Sequence, residues 1–314
     1  MDRRQFAIVS AAVGGRLLLE PFAPFSALRA AGVQNSDVLS PEYAESVEIS
    51  GLSEDGASEF EVRLARFPPR SSGTLWATVC RADQIYNVAL DEVRLAVPGR
   101  TRVEEADARF EVSAASQTSA RLERHRDGSL IATARVAVSA HRSADPPPGS
   151  GNEAVTIEAR FEAAHAPVQV LPARLEVMGR VSATVRTPSG LFTISGPGKW
   201  HEQTGNRPRF AAAFTYLTAT GRDHGLLAVE RQPAPFGFAW MGGETIKVKA
   251  VKIAPPADRR TFTVELEDGR RIDGETRTIR TISTPIEGQR RPSATIQVTS
   301  TIGDMIGHIN DWRG

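Results

Sequence analysis

The stretch Val155-Thr156-Ile157-Glu158-Ala159-Arg160-Phe161 decides how this chain folds. Its apolar residues stand at every second position, with polar or charged residues between them. Successive side chains of a strand point to opposite faces, so a period of two describes a strand with one buried face and one wet face. The same rhythm recurs on both sides. Phe60, Val62 and Leu64 alternate with Glu61 and Arg63, and Arg109-Phe110-Glu111-Val112 repeats the pattern. Further on come Phe262-Thr263-Val264-Glu265-Leu266, Thr278-Ile279-Arg280-Thr281-Ile282 and Ala294-Thr295-Ile296-Gln297-Val298. Turn chemistry separates these runs. Asp127-Gly128 and Asp268-Gly269 are hairpin signals, because glycine accepts a positive φ at no steric cost. Thr187-Pro188-Ser189-Gly190 and Ala254-Pro255-Pro256-Ala257-Asp258 mark further turns.

The pattern gives about sixteen to eighteen candidate strands, too many for one small barrel of about eight. The expected fold class is all-β: two tandem lipocalin-like antiparallel β-barrels or sandwiches. Residues 45–186 form the first and 187–314 the second, with the division in the turn-rich region near 172–190. The Pro/Gly stretch Ser143–Asn152 is read as a long hairpin loop, since both of its flanks alternate. Residues 302–314 read as a short terminal turn weakened by Gly303 and Gly307.

The N-terminus reads differently. Arg3-Arg4-Gln5-Phe6 precedes the apolar run Ala7–Gly15, and a small-residue stretch, Ser26–Gly32, follows. This resembles a twin-arginine export leader over residues 1–31, although Asp2, Arg16 and Glu20 depart from the usual pattern. It predicts engagement of the Tat export machinery and a periplasmic or secreted protein. The apolar run is far shorter than the about 20 residues of a spanning helix, so no spanning membrane segment is expected.

Composition narrows the function classes. The chain has 314 residues, 40% of them hydrophobic, and a formal net charge of +1. That balance gives no electrostatic support for nucleic-acid binding. A single cysteine, Cys80, excludes an intramolecular disulfide and a cysteine-based zinc site; its apolar setting predicts a buried, inert thiol. There is no P-loop, dinucleotide fingerprint or G-x-S-x-G elbow. No cofactor and no metal is predicted. Asp304, His308 and Asp311 have metal-ligand spacing only if their segment is helical.

The least ordinary segment runs from Ser195 to Glu244. Gly196-Pro197-Gly198-Lys199-Trp200-His201-Glu202 leads into Phe210–Leu217, then Asp223–Arg231, then Phe236-Gly237-Phe238-Ala239-Trp240. Here the chain resembles the tandem lipocalin-like superfamily that includes hydroxyneurosporene synthase (carotenoid hydratase) and the AttH-like proteins. The resemblance implies two β-barrels and an apolar cavity for isoprenoid or polyketide-like molecules, with hydratase or cyclase activity in some members. Aromatic residues are only 6% of the chain yet concentrate here, so Trp200, Phe214, Tyr216, Phe238 and Trp240 are the candidate ligand-binding residues. His201 and Glu202 are the leading catalytic candidates, with Glu230 a third. Neighbours on a strand face opposite ways, so at most one of His201 and Glu202 enters a given cavity unless a bulge intervenes. A carboxylate beside Trp200 in an apolar cavity would suit proton donation to a C=C bond. Two functions follow. The first is an exported binding protein for an apolar small molecule held in a barrel cavity. The alternative is a cofactor-free hydratase or cyclase.

Overall fold

The computed structural model describes residues 40–95, 105–114, 118–205, 212–286 and 288–312. The leader 1–31 lies outside the described residues. Among the described residues no helix is long and apolar enough to cross a membrane.

Nineteen strands and one 3-10 turn make up this body, so the all-β reading holds. The first barrel contains β1 (Ala44–Leu52), β2 (Ser58–Phe67), β3 (Ser72–Arg81), β4 (Gln84–Leu95), β5 (Asp107–Ala114), β6 (Thr118–Asp127), β7 (Ser129–Ala140), β8 (Glu153–Ala163), β10 (Arg174–Thr187) and β11 (Gly190–Gly205). These pair in sequence, antiparallel throughout, and β11 returns to pair with β1, closing the ring. A four-residue strand, β9 (Val168–Leu171), takes over from β8 alongside the start of β10 and pairs with β10 over three residues. The second barrel is closed by β12 (Phe214–Thr220), β13 (His224–Arg231), β14 (Phe236–Met241), β15 (Glu244–Ile253), β16 (Arg259–Leu266), β17 (Arg271–Ile286), β18 (Gln289–Ser300) and β19 (Gly303–Trp312).

Two sequence expectations are corrected. The turn at 187–190 is a hairpin between β10 and β11, not a boundary, and β11 completes the first barrel. The second barrel starts at Phe214, after the end of β11 at Gly205. Residues 303–312 form the strand that closes the second barrel against β12 and β18, not a terminal turn. Gly307 is required there: a Cβ would lie 1.9 Å from the Thr218 carbonyl oxygen across the β12 pairing. The loop reading of 143–152 holds, and this β7–β8 connection also reaches the second barrel. Ser283 N–H donates to Ala144 O (2.7 Å), and Arg290 pairs with Asp145 (2.6 Å).

Both barrels are filled with side chains. Val47, Ile49, Phe60, Val62, Leu122, Phe161 and Trp200 belong to the first core; Leu217, Leu226, Val264, Ile296 and Ile309 belong to the second. Close packing of this kind is ordinary for small barrels. The departure from the sequence pattern lies outside the barrels. β8 alternates as a half-wet strand should, but every residue of β1 is buried. Its second face, carrying Ser46, Glu48 and Ser50, is buried in a seam between the two barrels.

Candidate functional site

The seam is lined by alternate residues of β1, β2, β10 and β11, the ones that do not enter the first core. From β11 come Lys199 and His201, and from β10 Arg174, Glu176 and Met178. From β1 and β2 come Glu48, Glu59, Glu61 and Arg63. The second barrel answers with Tyr216 from β12, Arg280 and Thr284 from β17, Arg291 and Thr295 from β18, and His308 from β19. Buried charge is costly unless paired and hydrogen-bonded, and here it is paired, within the first barrel around Glu48 and Glu176 and across the two barrels at Glu59 and Glu61.

One cluster centres on Glu176, which has no exposed side-chain surface. Its Oε1 accepts from Arg174 Nη2 (2.8 Å), Arg174 Nε (3.0 Å), His201 Nδ1 (2.9 Å) and the Tyr216 hydroxyl (3.2 Å). Lys199 Nζ donates to the Tyr216 oxygen (3.2 Å) and pairs with Glu48 Oε1 (2.7 Å). Arg63 ties the row together, reaching Glu48 (3.1 Å), Ser46 (3.0 Å) and His201 Nε2 (3.3 Å). With Nδ1–H given to Glu176 and a guanidinium N–H pointing at Nε2, His201 is the neutral imidazole.

The pKa directions agree with that geometry. Burial drives His201 down to about 4, against the opposing pull of Glu176. Burial opposes ionisation of Glu176, but His201 and Arg174 beside it hold its carboxyl down to about 2. Burial likewise disfavours charge on Glu48, and Lys199 and Arg63 overcome it, leaving the carboxyl well below its usual range. Lys199 is raised: burial works against its charge, and Glu48 and Tyr216 more than offset it. Burial and the Glu176 carboxylate push the Tyr216 phenol up to about 12. At neutral pH the cluster therefore holds two fixed carboxylates, an ammonium, a neutral imidazole and a protonated phenol.

A second cluster lies on β2. Glu59 Oε2 accepts from Thr295 Oγ1 (2.6 Å) and lies 3.2 Å from His308 Nε2, and its Oε1 pairs with Arg280 (3.1 Å). Burial would raise this carboxyl, but the His308 bond, with the charges of His308 and Arg280, brings it to about 2. Glu61 Oε1 accepts from Trp76 Nε1 (3.1 Å) and pairs with Arg291 (2.8 Å). Glu59, Glu61, Arg291 and His308, with Thr78, Ile282, Thr284 and Ser293, line a cavity of about 10 Å³, the room of one water.

The predicted catalytic residues are not brought together. His201 enters the seam and Glu202 the first barrel, as neighbours on a strand must. Glu202 is a structural carboxylate: Arg124 grips it through Nε (2.5 Å) and Nη2 (3.0 Å), and Trp200 Nε1 donates to it at 2.7 Å. Glu202 is thus committed to Arg124 and Trp200 inside the filled first core, so the geometry does not support the reading of it as a proton donor beside tryptophan. Glu230 is half-buried on the inner face of β13 and accepts the Ile253 N–H at 3.1 Å. Among the ligand candidates, Trp200 is core of the first barrel. Tyr216, Phe238 and Trp240 face the seam, not a barrel cavity, and Phe214 stacks on Trp312 at its margin (6.4 Å). His308 and Asp311 point to different partners, Glu59 and Arg260, so the conditional metal set is not assembled; among the described residues no other group of His, Cys, Asp and Glu fits a metal. Cys80 is buried, as expected, and burial raises its thiol well above the ordinary value.

Sequence reasoning missed Lys199, Glu176, Glu48, Arg63 and Glu59. Their alternation is that of an ordinary wet face, and only the second barrel makes them buried. The one local signal was Lys199, two residues from His201 on the same face of β11.

No family model matches the chain, and no curated protein matches it. Solved structures do. The fold is shared with CghA. That match has a TM-score of 0.61 at 11% identity, over 88% of this chain and 90% of CghA. CghA with Sch210972 gives 0.58 over the same shares, also at 11% identity. Kievitone hydratase from Nectria haematococca gives 0.53 at 9% identity, over 86% of this chain and 89% of that one. The likeness spans both barrels, so the tandem arrangement itself is common to these proteins.

Proposed function

We propose that this protein is a cofactor-free enzyme of the hydratase or cyclase kind, working at the seam between its barrels on an isoprenoid or polyketide-like molecule. One observation carries the reading: the Lys199–Tyr216–Glu176 chain, an ammonium and a phenol fixed side by side within a buried seam. The names of the structural neighbours add weight, since one is a hydratase and another is solved with a small molecule.

The chemistry is narrower than proton donation to an isolated C=C bond. A phenol at about 12 and a raised ammonium are weak acids, ill suited to protonating an alkene. Lys199 has one N–H beyond those given to Glu48 and Tyr216, and the Tyr216 O–H, given to Glu176 in this structure, would turn from it to a carbonyl oxygen on which negative charge develops. A conjugated carbonyl polarised there accepts water at its far carbon, or closes a ring, without any cofactor. Glu176 and Glu48 keep the two donors oriented. Arg174, Arg63 and Lys199, with side chains 16%, 11% and 10% exposed, mark where the seam meets solvent. Because both barrel interiors are filled, a pure binding role would use this same seam rather than a barrel cavity.

The test is turnover of isoprenoid and polyketide-like enones, read by mass spectrometry as gain or loss of water or as an isobaric product. Tyr216→Phe is expected to lower kcat by about 10²–10³ with an unchanged fold, the usual loss of one oxyanion donor. Full activity in Tyr216→Phe and Lys199→Met would overturn the assignment. Export is proposed on the Arg3-Arg4 pattern alone; N-terminal sequencing of protein from the native host should find a start near Gly32, and an intact Met1 would refute it.

A further inference from the structure

The outer face of β12, β13 and β14 is unusual for a barrel surface. Tyr216, Leu227, Val229, Phe236, Phe238 and Trp240 stand on it together and are all buried. Part of the cover comes from Met178 on β10, which settles over Gly225 so closely that a Cβ there would lie 2.5 Å from its sulfur. The rest comes from β9, whose Val168, Val170 and Leu171 pack on this face while only half-buried themselves. β9 is poorly held. It is four residues long, pairs with β10 over three residues with a register shift, and has no second strand partner among the described residues. His165, leading into β9, lays its ring against Phe238 (5.2 Å) and Trp240 (5.5 Å). Under this cover the Trp240 Nε1–H is buried and has no hydrogen-bond partner among the described residues. A buried donor without a partner is costly and rare in a finished interior.

We infer that β9 is a displaceable cover, and that the face beneath it is the tail-binding subsite for an apolar chain whose carbonyl head sits at Tyr216 and Lys199. The inference rests on the proposed function for the head and extends it to the rest of the substrate. The register sets the size. Tyr216, Val229 and Phe236 lie directly across from one another on β12, β13 and β14. Two strand spacings of about 4.8 Å carry a chain roughly 10 Å from the head, and Phe238 and Trp240 then continue the row along β14. This suits an aliphatic or isoprenoid tail of about eight carbons or more. Val168, Val170 and Leu171 stand where that tail would lie, and the Trp240 N–H awaits an oxygen or a π-bond part-way along it.

The experiment uses the full chain and methyl ketones of rising length, from butanone through octanone to dodecanone, with dodecane as the headless control. In the wild type, affinity should rise about fourfold per buried methylene and level off once the row is filled. Phe238→Ala should flatten that dependence, and Trp240→Phe should remove most of the ligand-induced fluorescence change. Deuterium uptake in peptides spanning 165–173 should increase on binding dodecanone. A length dependence untouched by Phe238→Ala, or unchanged uptake over 165–173 with the ligand bound, would overturn the subsite. Tyr216→Phe separates the two readings. If the head assignment alone is wrong, this variant keeps both affinity for the ketones and the tail dependence. If the subsite alone is wrong, Tyr216→Phe still weakens every ketone, and neither tail variant matters.

Discussion

Replacing Arg124 by methionine puts the assignment of Glu202 to the first core on trial. The wild-type carboxylate is 2% exposed and receives three hydrogen bonds, two of them from Arg124. Removing the guanidinium strands a buried charge, at a cost of ~3–5 kcal/mol. Arg124 also donates to the Ala106 carbonyl at 3.0 Å and to that of Glu105, and freeing them adds ~1–3 kcal/mol. The single variant should therefore lose ~5 kcal/mol or somewhat more. The double variant Arg124→Met/Glu202→Leu removes both charges but leaves the two carbonyls and the Trp200 N–H without partners, so it should lose ~2–5 kcal/mol. It should therefore be more stable than Arg124→Met by ~2 kcal/mol, read as the difference in urea midpoints at constant slope. A double variant no more stable than Arg124→Met would mean that Glu202 is not held by Arg124. That result would return Glu202 to the list of free acids.

Other predictions concern the seam. His201 has a folded pKa of about 4 against 6.5 for the free residue, so between those values the unfolded chain binds the extra proton and stability falls as pH drops. His201→Gln should remove on the order of 3 kcal/mol of that acid sensitivity, measured by urea midpoints from pH 7 to pH 4; an unchanged pH profile would contradict a buried neutral imidazole. Glu176 and Glu59, at about 2 in the folded state against 4.5, contribute stability that is present above 4.5 and is lost as pH falls toward 2. The wild type should keep losing stability through that lower range, and Glu59→Gln should lose less of it. Gly225→Ala should destabilise by ~1–3 kcal/mol through the clash with Met178, and Met178→Ala in the same chain should recover part of the loss. Cys80 should not react with a water-soluble disulfide reagent until the protein is unfolded; prompt labelling would contradict its burial.

The strands were legible because alternation is a local signal. β2, β8, β16 and β18 could be read almost residue by residue, and the Asp-Gly turns at 128 and 269 adopt the positive φ that the pattern requires. The end of the first barrel was not legible. A Pro-Ser-Gly turn looks the same whether it closes a hairpin or separates two domains, and the pairing of β11 with β1 joins residues more than a hundred positions apart. β19 was hidden by its glycines, which read as helix breakers although Gly307 is there to let two backbones meet. The candidate site was hidden for a deeper reason. Glu48, Glu61 and Arg63 follow the rule for a solvated face, and nothing in their neighbourhood says that a second barrel will cover them. The aromatic concentration around 214–240 did point to the right face of the second barrel. What it could not show was that this face meets the outside of the first barrel, or that Trp200 belongs to a different core.

The order in which the rings close has a consequence for how the chain comes into being. The first strand of each barrel is bonded to the last, β1 to β11 and β12 to β19. During synthesis β1 therefore waits with one raw edge until residue 205 has emerged, and β12 waits until 312. Topologies dominated by such distant pairings fold slowly and expose strand edges meanwhile. A chain cut after Thr187, at the turn that resembles a boundary, would keep ten strands and still carry two open edges, on β1 and β10. It should form fibres or aggregates where a cut after Gly205 gives a closed ring. The seam face of that ring, stripped of its second barrel, would then offer its charges to water.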